Sequence, residues 1–236
     1  MSCCCLYPRK GKVPVPIHCE NNGRDVEFIG LDAFLPRVTL VAQGVPDDVA
    51  IEYIRQSAMR LAKDSRLLKR TAYADVQAGV ADYYIANGEQ EQINLLYDIQ
   101  LGKPHSWCGG VNLSDTGCFV ALQTCRNPFF TFEPPDKVIL ARTPKHDGEK
   151  QLRFDYYAVP TQNCCKVDKL LYDRYHDTVV NGALADLLLM RKYEFADPQL
   201  ALAYDRRFQQ GIAQAKVDVS RQFMTGTQLL QTEMMI

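Results

Sequence analysis

The sequence predicts an α+β fold: a bundle of three to four helices carrying an antiparallel β insertion, with extended arms at both ends. Three observations predict it. Residues 166–222 hold two long helical periodicities separated by a short polar break. A third helical pattern opens at Asp47. Between them lies a long run of short β-branched and aromatic segments, cut by Pro, Gly and Asp. The boundaries follow: 1–45 an extended arm and entry segment, 46–67 the first bundle helix, 68–162 the β-rich insertion, 163–222 a helical hairpin, and 223–236 a C-terminal docking arm.

Residues 1–27 read as irregular, with Pro14 and Pro16 in KVPVPIH and a polar turn around Gly23, and are expected to lie over the surface or reach a neighbour. Phe28 to Leu35 has the makings of a short strand or a helical turn, limited by Pro36. A helix is predicted at about 47–65. Asp47 and Asp48 suit its positive N-terminal end. Ile51, Ile54, Ala58 and Leu61 share its apolar face, and Arg55, Arg60, Lys63 and Arg66 are expected on its solvated side.

Strands are predicted in TAYADVQAGV, DYYIA, INLLYDIQL, CFVALQT, FFTFEPP, KVILARTP and QLRFDYYAVP. PPDKVILAR reads as a turn feeding a strand, and HDGEK as a hairpin loop. The first helix of the C-terminal pair runs from Lys166 to Phe195, with Leu170, Leu171, Tyr175, Val179, Ala183 and Leu187 on one face. In the second, Leu200, Tyr204, Phe208, Ile212, Ala215 and Val219 recur. Asp197-Pro198 is a start signal: a capping carboxylate, then a proline where its missing N–H costs nothing. Helices joined so closely fold back as an antiparallel pair. Gly226 is placed as the stop of the second helix. Beyond it, Leu229, Leu230, Met234, Met235 and Ile236 form either a disordered tail or an arm whose apolar residues dock on another subunit.

Composition is that of a globular chain, 47% hydrophobic and 23% charged, with a formal net charge of −1. That charge implies no bulk attraction to nucleic acid or to an anionic membrane. No apolar run approaches the roughly 20 residues that span a bilayer. The start of the chain has no long apolar segment behind its basic residues, so synthesis in the cytoplasm is expected. The nine cysteines form no C-x-x-C spacing and are expected to be reduced thiols. The triplet Cys3, Cys4 and Cys5 has no evident role.

No phosphate loop, dinucleotide fingerprint, HExxH or GxSxG motif occurs. Cys108 in HSWCGG, with His105 three positions before it, is the best thiol candidate; the competing reading is a turn whose Trp107 fills the core. His105, Cys108, Cys118 and Cys125 offer ligand types suited to zinc, at spacings that match no common knuckle. Apart from Lys69-Arg70 and Arg206-Arg207, basic residues are scattered among acids, which reads as solvated helix faces. The carboxylate pairs Asp47/Asp48 and Glu89/Glu91 read as caps or solvated turns. No catalytic residue and no cofactor is assigned.

Three stretches carry a family resemblance. LDAFLPRVTLVAQGVPDDVAIEYIRQSAMRLAKDSRL is similar to the opening segment of the head-to-tail adaptors of tailed bacteriophages, a group that includes the tail tubular protein of short-tailed phages. LYDRYHDTVVNGALADLLLM, with Asn181-Gly182-Ala183-Leu184, resembles their penultimate helix. FADPQLALAYDRRFQQGIAQAK, with Tyr204, Phe208 and Gly211, resembles their last long helix. The resemblance implies a structural virion protein in the neck between head and tail, with no enzyme activity. It implies a ring, usually a dodecamer, that binds the portal protein, receives a tail or nozzle protein and extends the DNA channel without sequence-specific binding. It implies further that the β insertion faces the tail or a neighbour, and that the C-terminal segment reaches the portal. A tail terminator or tail tube component, and a Cys/His-dependent or zinc-containing enzyme, are the alternatives.

Overall fold

The computed structural model describes residues 17–18, 26–85, 88–101, 130–141, 143–221 and 223. In chain order the elements are β1 (Ile17–His18), β2 (Phe28–Gly30), a 3-10 turn (Leu31–Phe34), α1 (Leu35–Thr39), α2 (Asp47–Ser65), β3 (Lys69–Val76), β4 (Asp82–Tyr84), β5 (Glu91–Leu101), β6 (Phe130–Glu133), β7 (Lys137–Leu140), β8 (Gly148–Pro160), β9 (Lys166–Asp168), α3 (Lys169–Leu187) and α4 (Pro198–Ser220). Helices and antiparallel sheets segregate along the chain, so the class is α+β.

Two cores result. The first holds the helices. Ile54, Ala58 and Leu61 of α2 meet Leu171, Val179, Ala183 and Leu187 of α3, and Phe208, Ile212 and Ala215 of α4 close the side. The second lies between two sheets. One has the order β1-β3-β8-β5, the other β4-β7-β6. Alternation along β3 and β8 sends Ala72, Ala74, Leu152 and Phe154 into this core, where Tyr83, Ile85 and Val138 meet them. The long strands link the two cores. The near end of β8, Ala158 and Val159, is buried among the helices, and Tyr156 packs against both cores. A short antiparallel pair, β2 with β9, ties the entry segment to the residues just before α3.

The three helices come closest at Gly182. A Cβ placed there would lie 2.2 Å from Ser57 Oγ and 2.8 Å from two ring carbons of Phe208. Only a residue without a side chain lets α2 and α4 approach α3 so closely. Ser57 uses the proximity, donating its hydroxyl to the Val179 carbonyl at 2.7 Å. Arg60 adds a bond to the Gly182 carbonyl and an ion pair with Asp186, and its guanidinium sits 5.1 Å from the Phe208 ring centre. Gly211 makes a second close approach, with Thr178 filling the space a Cβ would take. The α3 backbone leaves helical geometry at Tyr175 (φ −123°, ψ 20°). The Tyr175 hydroxyl donates to Asp218 at 2.8 Å. Burial and then the Asp218 carboxylate push its phenol well above the usual range.

Several expectations need correction. Pro36 does not limit the segment after β2 but sits in the first turn of α1, where it displaces no hydrogen bond. HDGEK is not a hairpin loop. It joins β7 of one sheet to β8 of the other, because β7 pairs with β4 and β6 whereas β8 pairs with β3 and β5. PPDKVILAR does form the β6–β7 hairpin. The helix placed at Lys166 starts at Lys169, since 166–168 pair with β2 and Asp168 caps the helix by accepting from the Leu170 amide. It ends at Leu187 rather than Phe195. Leu200 is exposed, and Ala201 takes the buried position beside it. The second helix ends at Ser220, not at Gly226. Phe223 takes positive φ (59°) and donates to the Asp218 carbonyl, which closes the end without glycine. The strand placed at CFVALQT lies outside the described residues.

Candidate functional site

The described residues contain no group of three or more His, Cys, Asp or Glu side chains placed to hold a metal ion. His105, Cys108, Cys118 and Cys125 lie outside them, as do Leu229, Leu230, Met234, Met235, Ile236 and the N-terminal cysteine triplet. Two free cysteines are described. Cys165 is exposed, and Cys164 is buried. Burial pushes the Cys164 thiol up, against a smaller opposing effect of Arg55, which is the reverse of what a nucleophilic thiol needs.

The one buried row of carboxylates is structural in its contacts. Asp98 and Asp155 face each other across β5 and β8. Asp155 accepts from the Thr71 hydroxyl at 2.6 Å and pairs with Arg153. Asp98 accepts from Gln100 through one oxygen. Tyr97 stacks on Tyr157 beside them, ring centres 4.6 Å apart. Burial, and next the Asp155 charge, push the Tyr97 phenol up to about 12.

The basic pair at 69–70 turns out to be a clamp. Arg70 forks onto both oxygens of Glu91 at 2.7 and 2.8 Å and reaches Asp168 with the same guanidinium. All three side chains are nearly buried. Burial works against the charge on Arg70, and the two carboxylates more than offset it, so its pKa rises. Glu91 is therefore no solvated turn residue, as the sequence reading held, but the partner of a buried cation at the start of β5. Arg55 and Arg60 likewise leave the solvated face expected of them. Arg55 donates to the Cys164 carbonyl at 2.9 Å, and Arg60 is held between α2 and α3.

What remains exposed is surface suited to contact. A groove of about 290 Å³ opens between α1, α3 and α4. Leu40, Val41, Val180 and Leu184 make its apolar wall, and Asn181, Tyr204 and Arg207 its polar one. Arg37 pairs with Asp177 at 3.4 Å on the rim. Leu40 is 71% exposed, a large apolar residue held out of the core by the turn that follows α1.

The second surface is α4 itself. Its fully buried residues are Ala201, Phe208, Ile212 and Ala215, a narrow stripe on a 23-residue helix. The opposite side is exposed along its length and bears Arg206, Gln210, Lys216 and Arg221. The helix's two acids, Asp205 and Asp218, are half-buried, so no exposed acid sits on α4. Leu202 is 60% exposed on this side, with Val217 further along. The pair Arg206-Arg207 was visible in the sequence, but the missing acids were not counted. Projecting the heptad-like series Ala203, Arg206, Gln210, Ala213 and Val217 on a helix would have found this face.

A family model described as SU10 adaptor protein matches residues 31–229. The match starts at the 3-10 turn after β2 and runs through α4. No curated protein matches the chain.

Proposed function

The chain belongs to the SU10 adaptor protein family, and on that premise we propose that it is a structural subunit of a ring joining the capsid portal to the tail. The observation that carries the reading is the family match across nearly the whole helical frame and the β part together. The exposed face of α4 supports it, because a helix held by one narrow stripe leaves a long side free for a neighbour. In this reading the helices α2, α3 and α4 form the bundle of the ring wall. The β part faces the tail, a nozzle protein or the next subunit. DNA passes through the ring without sequence-specific contact, and a near-zero net charge suits passage rather than grip. The ring is a dodecamer. The segment 223–236 is the portal-docking arm, with Leu229, Leu230, Met234, Met235 and Ile236 as its contacts. The role is structural, with no catalytic step, in the neck of the virion.

Imaging of purified protein mixed with portal rings tests the proposal. The expected result is an added ring of density beneath the portal. Protein that never joins a portal would exclude the adaptor role. Deleting 225–236 tests the arm separately: portal binding equal to that of the full chain would exclude it.

A further inference from the structure

We propose that the outer face of α4 packs against the acidic start of α2 in a second copy of the chain. The inference rests on the ring reading and names the contact that would build it.

Two unpaired patches of opposite sign lead to it. Among the described residues, no ion pair or hydrogen bond engages the side chains of Arg206, Lys216 or Arg221, and none engages Asp47 or Asp48. Most other described helix charges are spent: Glu52 on Arg55, Asp186 on Arg60, Asp177 on Arg37. Each patch also carries apolar surface. Leu202 and Val217 lie with the cations, and the exposed Leu40 lies on the turn that leads to Asp47. Arginine with aliphatic side chains and few acids is the composition of an interface centre, and a carboxylate ledge is its electrostatic complement.

Nucleic acid is the other polyanion such a face could meet. The exposed leucine and valine argue against it, since a phosphate backbone gains nothing from them. A chain of net charge −1 also lacks the general attraction that accompanies nonspecific DNA binding.

Charge exchange tests the contact. One variant carries Arg206→Glu and Arg221→Glu, the other Asp47→Lys and Asp48→Lys. Self-association is followed by sedimentation velocity, for the protein alone and on portal rings. Each variant alone should associate about a hundredfold more weakly than the parent, because every contact then opposes like charges. A 1:1 mixture should recover association, because each contact then pairs opposite charges. The milder Arg206→Gln and Asp48→Asn variants, with melting followed by circular dichroism, separate weakened contact from lost folding. A variant that associates like the parent would overturn the proposal, and so would a mixture that fails to recover. Altered binding to a 30-bp duplex with unchanged association would assign the face to DNA and overturn it too. A parent that binds portal rings while every variant behaves identically sinks this contact alone. A parent that never binds portal sinks the ring reading.

Discussion

Replacing Gly182 by Ala is the sharpest test of how the helices are held together. The new methyl group would meet Ser57 Oγ at 2.2 Å and the Phe208 ring at 2.8 Å. Ser57 can rotate away only by giving up its bond to the Val179 carbonyl, which is worth about 1 kcal/mol. Phe208 is 1% exposed, so its ring has no free space to enter. Overpacking of this kind costs about 1–3 kcal/mol. Alanine regains about 1 kcal/mol of helix propensity over glycine, which offsets part of the sum. The net expectation is a loss of about 1–3 kcal/mol. In a chain of this size each kcal/mol corresponds to a drop in Tm of about 2–4 °C. Urea unfolding followed by far-UV circular dichroism measures it. Phe208→Leu removes the ring, so the double variant should lose at least about 0.5 kcal/mol less than the two single losses combined. A Gly182→Ala protein as stable as the parent, or two losses that simply add, would refute the claim that α2, α3 and α4 converge on this position.

Three further outcomes are expected. Arg70→Met leaves Glu91 and Asp168 buried without their cation and should cost about 3–5 kcal/mol in urea unfolding, part of it recovered by adding Glu91→Leu. Asp197→Ala removes the side chain that accepts from the Gln199 and Leu200 amides, so it should cost about 1 kcal/mol and speed hydrogen exchange at those two amides. Tyr97, raised by burial and Asp155, holds its proton longer in the folded chain than in the unfolded one; its contribution to stability is complete below pH 10 and is lost as pH rises from 10 to about 12. A tyrosinate absorbance titration should show one delayed step near the top of that window that Tyr97→Phe removes.

The helices were legible because their signals are local. Asp47 and Asp48, the Asp197-Pro198 start and the spacing from Val179 to Leu187 each lie within a few turns, and the helix predicted at about 47–65 is α2. The strands were legible as segments but not as sheets. Partnership depends on residues far apart, such as Thr71 with Asp155, and composition carries no record of it. The same reason hid the roles of Arg55, Arg60, Arg70 and Glu91. Each looks like a surface charge within its own element and finds its partner only across the fold. Leu200 and Ala201 were exchanged because a one-position rotation of α4 decides which is buried, and bulk alone favoured the leucine.

The clamp at Arg70 has a consequence for variation. Arg70 and Asp168 stand 98 positions apart in the chain, yet they touch, and the backbone just before Arg70 bonds to β8 through the Leu68 carbonyl and the Ala158 amide. Everything between them leaves the helical frame and returns to it through one narrow neck. The entropy of closing a loop grows only slowly with its length. What lies beyond the neck can therefore lengthen, shorten or be exchanged for another small β unit while the frame still sees the same two ends held together. A swap that keeps Arg70, Glu91 and Asp168 leaves the helices their original anchorage, and the tail-facing end becomes a replaceable tool on a constant handle.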